Sequence, residues 1–330
     1  MNGTRRMKLL CGNSLACLTL SLFVFVFVLA ARPVAAQVVA KPPVSTPSAG
    51  GNSFDGPGDV RYPERDTLDR RIDLFIGDWR DSMPRHVFGS LVLRDILTRG
   101  DNYAPPQPGA ILQAANYLAY GRLQPRDSTI PTKLDHEQIV YYVVGGTGEI
   151  TAGAKTAALH KDVAVFVPAD LEFVMKNTSN EDLTMYVVSE PTPQNFVPGK
   201  EMLITDERQV PVRTPMAASP YTIQGASGHW AHIVRDLFSR TDGLATIGDI
   251  ITVTIAPLTM GEPHPHNPGQ EEIWAAIDGN SLAFIGSELR VQHPGMAYMI
   301  RPDRNMTHSN INSGDTPVKF LWFSGSSLKK

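Results

Sequence analysis

Cysteine is nearly missing. The 330-residue chain has only Cys11 and Cys17, both within an apolar N-terminal stretch. A chain cut beyond them has neither a disulfide framework nor thiolate ligands, so a metal would have to be held by His, Asp, Glu or Gln. A surplus of one charge is also lacking. The 30 Lys and Arg against 33 Asp and Glu leave a net charge of −3, which excludes the basic face that nucleic-acid phosphates require. Long uninterrupted helical periods are scarce as well. The 26 Pro and 27 Gly break the chain too often for helical bundles or coiled coils. Repeated Val/Ile/Tyr/Phe runs argue against extended disorder. No Ser-His-Asp arrangement, Gly-rich phosphate loop or nucleotide motif is evident.

The N-terminus reads as a targeting segment. Arg5, Arg6 and Lys8 precede a largely apolar run over residues 9–31, and Val34-Ala35-Ala36 offers the small residues that a signal peptidase reads. Residues 1–36 are therefore expected to be a signal peptide cleaved after Ala36. The run is also long enough to remain uncut as a signal anchor. Either outcome places the body outside the cytoplasm, secreted or periplasmic, and cleavage leaves no stable membrane span. The mature chain then has 26 basic against 33 acidic residues, a net charge of −7. Residues 37–60, rich in Pro, Gly and Ser, are expected to be a flexible linker. Apolar spacing at Leu68, Ile72, Phe75 and Trp79 predicts a helix within 63–81.

The remainder repeats. Residues 90–101 align without a gap over 231–242, with Arg94/Arg235, Asp95/Asp236, Arg99/Arg240 and Asp101/Asp242 identical. Residues 138–146 match 272–280, and 163–168 match 296–302 with one residue inserted. Three matches in the same order imply two duplicated domains, expected at 61–200 and 201–330. Each consists of short β-branched and aromatic runs between turn residues: 139–144, 163–167, 183–188, 250–255, 273–277 and 318–323. The expected fold is all-β, with one antiparallel sandwich or barrel per half.

Gly261-Glu-Pro-His264-Pro-His266-Asn-Pro-Gly-Gln270-Glu271-Glu272-Ile-Trp274-Ala-Ala-Ile-Asp-Gly279 is the most informative stretch. Side chains alternate along a strand, so His264 and His266 share a side, and the next strand can bring a carboxylate beside them. Counting back from Gly279 selects Glu272 for that position, and counting forward from His266 selects Glu271. His308, in Pro302-Asp-Arg-Asn-Met-Thr-His308-Ser-Asn-Ile-Asn312, supplies a third imidazole. Three imidazoles and a carboxylate suit one divalent Mn, Fe, Zn, Ni or Co ion and can leave positions open for water or substrate.

These motifs resemble those of the cupin superfamily, and the chain looks like a bicupin over residues 85–330. The resemblance implies two tandem jelly-roll barrels, with metal ligands His264, His266, Glu272 and His308 in the C-terminal one. This sequence has one more residue than usual between His266 and Glu272, and another between Pro302 and His308. Arg304 stands where a Gly is usual. In the first half, placing Gln138 on Glu272 puts Ile130, Thr132 and Phe173 at the histidine positions, with Pro168 and Asn177 kept as their frame. The N-terminal barrel is thus expected to hold no metal and to pack as an imitation of a cupin dimer partner. A homodimer of the whole chain stays open.

Cupins include dioxygenases, isomerases, lyases and non-catalytic binders, so the fold does not settle the activity. The first reading is an exported metalloenzyme acting on a small polar or carboxylate molecule. The alternative is a metal-dependent binding protein for a sugar or small acid. In the first, Glu271 is the candidate general base if it faces the pocket. Gln270, Trp274, Tyr298 and Arg301 are the candidate substrate contacts, while Arg301 reads equally as a solvated turn residue. His229 and His232 read as structural.

Overall fold

The computed structural model describes residues 70–213 and 232–326. The expected signal segment, linker, Leu68 and His229 lie outside them. Among the described residues every regular element is a β-strand or a short 3-10 turn. Both halves lie in one unit, Pro63–Lys330.

Each half is two facing antiparallel sheets. In the N-terminal barrel, strands Val163–Val167, Glu137–Gly145, Leu183–Pro191, Tyr117–Leu123 and Leu91–Arg99 lie side by side, opposed by Phe173–Asn177, Thr147–Ala152 and Lys155–His160. The C-terminal barrel repeats that order with Met296–Tyr298, Gln270–Asp278, Val318–Ser326, Ile247–Ile255 and His232–Ser239. Its second sheet centres on Thr307–Asn312, Ser281–Ile285 and Glu288–Gln292. All six apolar runs read from the sequence fall on observed strands.

The edge of each large sheet is completed from the other side of the expected domain boundary. Ile76–Asp78, which precedes the first barrel, pairs with Met296–Tyr298 of the second. Leu203–Asp206, beyond residue 200, pairs with Val163–Val167 of the first. A cut at 200/201 therefore does not separate the barrels, because each lends the other a strand that covers an open edge.

Over its described residues, 70–81, the helix expected within 63–81 does not form. Residues 70–75 make a 3-10 turn, 76–78 a strand and 79–81 a second turn. Gly77 explains why. A Cβ there would sit 1.8 Å from the Ile96 carbonyl oxygen, so the segment crosses the neighbouring strand at a separation only glycine permits. Trp79 then stacks on Tyr120 with centroids 5.1 Å apart.

Strand alternation divides the apolar residues among three cores. Ile139, Tyr141, Val143 and Val187 fill the first barrel. Ile251, Val253, Trp274 and Phe320 fill the second. The residues between them, among them Val140, Tyr142, Phe166, Phe238, Ile250, Ile273 and Phe323, pack barrel against barrel. Each large apolar side chain buried there contributes about 1.5–3 kcal/mol.

Two buried carboxylates tie the barrels reciprocally. Glu190 of the first accepts from the backbone N–H groups of Ala245, Thr246 and Ile247 in the second, at 2.8–2.9 Å, and from the Thr246 hydroxyl at 3.0 Å. Gln138 donates to the same carboxylate at 2.5 Å. Glu271 of the second accepts from the N–H groups of Gln113 and Ala114 in the first, at 2.7 and 2.9 Å, and from Asn102 at 3.3 Å. Removing such a carboxylate leaves several buried donors unmet. Glu190→Ala is expected to lower stability by about 3 kcal/mol, measured by equilibrium urea denaturation, with Glu190→Gln costing less. A loss below about 0.5 kcal/mol would show that the clamp is not structural.

Candidate metal centre

The four residues expected as ligands converge. Strand His264–Pro265 pairs with Thr307–Asn312 so that His264 lies opposite His308. His266 follows on the same side, and Glu272 projects inward from Gln270–Asp278. One ligand atom from each of His264, His266, Glu272 and His308 lies within 4.8 Å of the others. Nε2 of His266 is 3.0 Å from Nε2 of His308. The Glu272 oxygens stand 3.4 and 3.5 Å from those two nitrogens. The turn that carries His308 is fixed by Arg304, whose N–H donates to the His266 carbonyl at 3.1 Å. Arg304 takes φ of 66°, the left-handed conformation that explains why glycine is usual there.

The surrounding groups set each ligand's orientation. His264 Nδ1 is 2.9 Å from the Glu262 carbonyl, which requires Nδ1–H and leaves Nε2 as the lone pair. Tyr298 Oη lies 2.9 Å from His308 Nδ1 and donates to Asn310 Oδ1 at 3.1 Å, so His308 Nδ1–H donates to the phenol and its Nε2 also faces inward unprotonated. The Trp274 indole N–H donates to Glu272 Oε1 at 2.9 Å. Without a cation the His266 Nε2–H must then donate to the His308 Nε2, which leaves His266 Nδ1 buried with no hydrogen-bond partner, and imidazole and carboxylate donors gathered in this way fit a divalent transition ion. The cluster is therefore consistent with a single metal.

Burial alone would raise the Glu272 carboxyl, but the His266 and His308 rings beside it hold it well below the usual range. Burial pushes His308 down to about 4, against the pull of Glu272 and with help from the neighbouring imidazoles.

Glu271 does not join this group. As the next residue along the strand it points to the opposite face, where the other barrel's N–H groups hold it. Burial raises it to about 6, offset in part by Ala114 and Gln113. The base expected at this position is thus an interface strut. Tyr298, expected to touch substrate, is 1% exposed and committed to His308. Arg301 pairs with Asp303 at 2.5 Å and lines a separate cavity of about 300 Å3 with Arg71 and Tyr103. Gln270 and Trp274 do line the cavity of about 220 Å3 that adjoins Glu272. So do His232, Trp322, Arg213 and Asp249, which sequence reasoning missed. The only signal was strand parity at Trp322, which alternates with the interface residues Leu321 and Phe323.

In the first barrel, Thr132 bridges Phe173 as His264 pairs with His308. Ile139 lies opposite Ser189 as Glu272 lies opposite Ser324. Ile139, not Gln138, is the counterpart of Glu272, and the histidine positions read Thr132, Leu134 and Phe173. The alignment above is one residue out along the strand and two out at the His264 and His266 positions, the second being the extra residue in the second barrel's turn. The conclusion that this set offers no metal ligands is unchanged. Asn177 and Asn312 keep equivalent roles, each donating to backbone carbonyls at the end of a neighbouring strand, Leu123 and Ile255, both at 3.0 Å.

A family model described as Cupin domain matches residues 119–189, within the barrel without ligands. No curated protein sequence matches the chain. Solved structures do. A Pseudomonas aeruginosa protein described as glyoxylate induced has TM-score 0.59 and 13% identity, covering 75% of this chain and 85% of its own. AerE from Microcystis aeruginosa has TM-score 0.54 and 13% identity, covering 76% and 98%. A point mutant of oxalate decarboxylase OxdC from Bacillus subtilis has TM-score 0.52 and 17% identity, covering 78% of each. The fold is that of a bicupin. At these identities the likeness establishes the architecture alone.

Two measurements follow from this geometry. Tyr298→Phe removes the acceptor of the His308 Nδ1–H and is expected to weaken metal affinity about tenfold, read by competition with a chelating dye. An unchanged affinity would show that the phenol does not orient His308. Unfolded histidine takes a proton below about 6.5, whereas folded His308 does so only near 4. Between those values the unfolded chain binds more protons. The metal-free bicupin should therefore lose stability as pH falls through that window, by about 3 kcal/mol in all, and His308→Gln should flatten the loss.

Proposed function

We propose that this bicupin is an exported metalloenzyme of dioxygenase, isomerase or lyase type, acting on a small polar or carboxylate molecule. The observation that carries the reading is the inward-facing set of His264, His266, Glu272 and His308, of which Glu272 lines a cavity of about 220 Å3. Structural metal sites are normally closed by their ligands, whereas a set that adjoins a cavity suits exchange with substrate. A bound divalent ion would supply Lewis acidity toward substrate oxygens. Trp274 and Tyr298 hold the ligands in place, Gln270 offers an amide to substrate, and Ile251 and Val253 line the wall with aliphatic surface that limits water. The cavity suits a molecule of a few heavy atoms. Export rests on the basic, apolar and small-residue order of residues 1–36, and N-terminal sequencing of the exported protein should begin at Gln37.

The test is a turnover screen of the metal-loaded protein with oxalate, glyoxylate and small hydroxy acids, followed by mass spectrometry and oxygen uptake. Conversion of one compound is expected, with at least a hundredfold loss in a His264→Ala/His308→Ala double variant. Stoichiometric uptake of a ligand that is returned unchanged would instead establish a binding protein.

A further inference from the structure

We propose that His232 binds and orients the carboxylate of a small acid in the cavity beside the metal ligands. This rests on the metal-centre reading above and names its substrate class. With Glu271 turned toward the other barrel and Tyr298 committed to His308, neither is available to a molecule in the cavity. Arg213 is ion-paired with Asp236, and Asp249 is exposed at the rim. His232 is the imidazole among the cavity-lining residues that lies outside the ligand set.

Its position is well determined. His232 is 5% exposed, in register with Ile255 on the neighbouring strand. Its ring centroid is 5.3 Å from that of Trp274. The same indole donates its N–H to Glu272. One aromatic ring thus links His232 to the ligand carboxylate, and all three side chains line the same cavity.

Charge and polarity choose the class. The buried wall offers an imidazole, the Gln270 amide and otherwise aromatic or aliphatic surface, too few polar groups to satisfy the hydroxyls of a sugar. A cationic molecule would find no buried carboxylate other than Glu272, which belongs to the ligand set. A divalent ion with a single Glu ligand leaves a net positive centre, which attracts an anion, and a ring N–H donated to a carboxylate oxygen is a strong, orienting hydrogen bond.

Full-length protein loaded with Zn(II), which is diamagnetic, is titrated with oxalate by calorimetry and by NMR of 15N-labelled histidine, as wild type, His232→Gln and His232→Phe. Thermal melts confirm that each variant is folded, and mass spectrometry counts the zinc. Equal zinc is expected in all three. The imidazole resonance absent from both variants should move when oxalate is added. Oxalate affinity should stay within about threefold in His232→Gln, which keeps a donor, and fall at least tenfold in His232→Phe. Unchanged affinity in folded His232→Phe, a fixed His232 resonance with oxalate bound, or zinc-loaded wild type that takes no oxalate would each overturn the proposal and leave the metal reading standing. Wild type that takes no zinc would overturn the metal reading and this proposal with it.

Discussion

Two adjacent carboxylates on one strand, aimed in opposite directions, organise this molecule. Strand alternation sends Glu272 into the C-terminal barrel, beside His266 and His308, and Glu271 out of it, onto the backbone of the other barrel. A slip of one residue would exchange them. It would place an interface carboxylate among imidazoles and a ligand carboxylate against Gln113 and Ala114. The register is held from both sides, by Trp274 donating to Glu272 and by three donors on Glu271. The N-terminal barrel therefore contributes to the metal site without touching it: it anchors the outer face of the strand whose inner face carries the ligand.

The two barrels share an architecture and divide the work. Each large sheet receives an edge strand from the other side of the boundary, and each barrel places a glutamate on the other's backbone. This reciprocity is what a symmetric dimer would show, here within one chain. The interior of the first barrel has been filled with Thr132, Leu134, Ile139 and Phe173, where the second holds three histidines and a glutamate. Asn177 persists opposite Asn312 because its task is backbone capping, which an apolar interior still requires. A buried set of imidazoles and a carboxylate is costly without a cation, and retention of that cost in one barrel alone marks the functional one.

Much of this was legible in the residues. The six apolar runs announced strands, the repeat announced two barrels, and His-x-His with a downstream His announced the cluster. The choice between Glu271 and Glu272 was decided correctly by counting back from Gly279, because pleat register is more rigid than a turn that can absorb an added residue. The match of Gln138 with Glu272 ran one residue out along the strand, and the added turn residue put the His264 and His266 positions out by a second, since an ungapped alignment cannot show where a turn lengthens. The exchanged edge strands are three and four residues long, too short for any period to register. The spacing of Ile72, Phe75 and Trp79 imitates a helix, but Ile76–Asp78 is taken up in pairing with Met296–Tyr298, a distant partner that no local period reveals. Tyr298 and His232 stand out in the sequence, but their roles do not, because sequence gives the face a side chain takes only after the register is known.

The central claim is that His264, His266, Glu272 and His308 hold one divalent ion while the N-terminal barrel holds none. Anomalous diffraction from crystals of the protein loaded with Mn(II) or Co(II) tests it most directly. The account predicts one strong peak per chain, about 2.0–2.3 Å from three imidazole nitrogens and a Glu272 oxygen. A peak elsewhere, a second peak in the first barrel, or no peak between these four side chains after loading would contradict it.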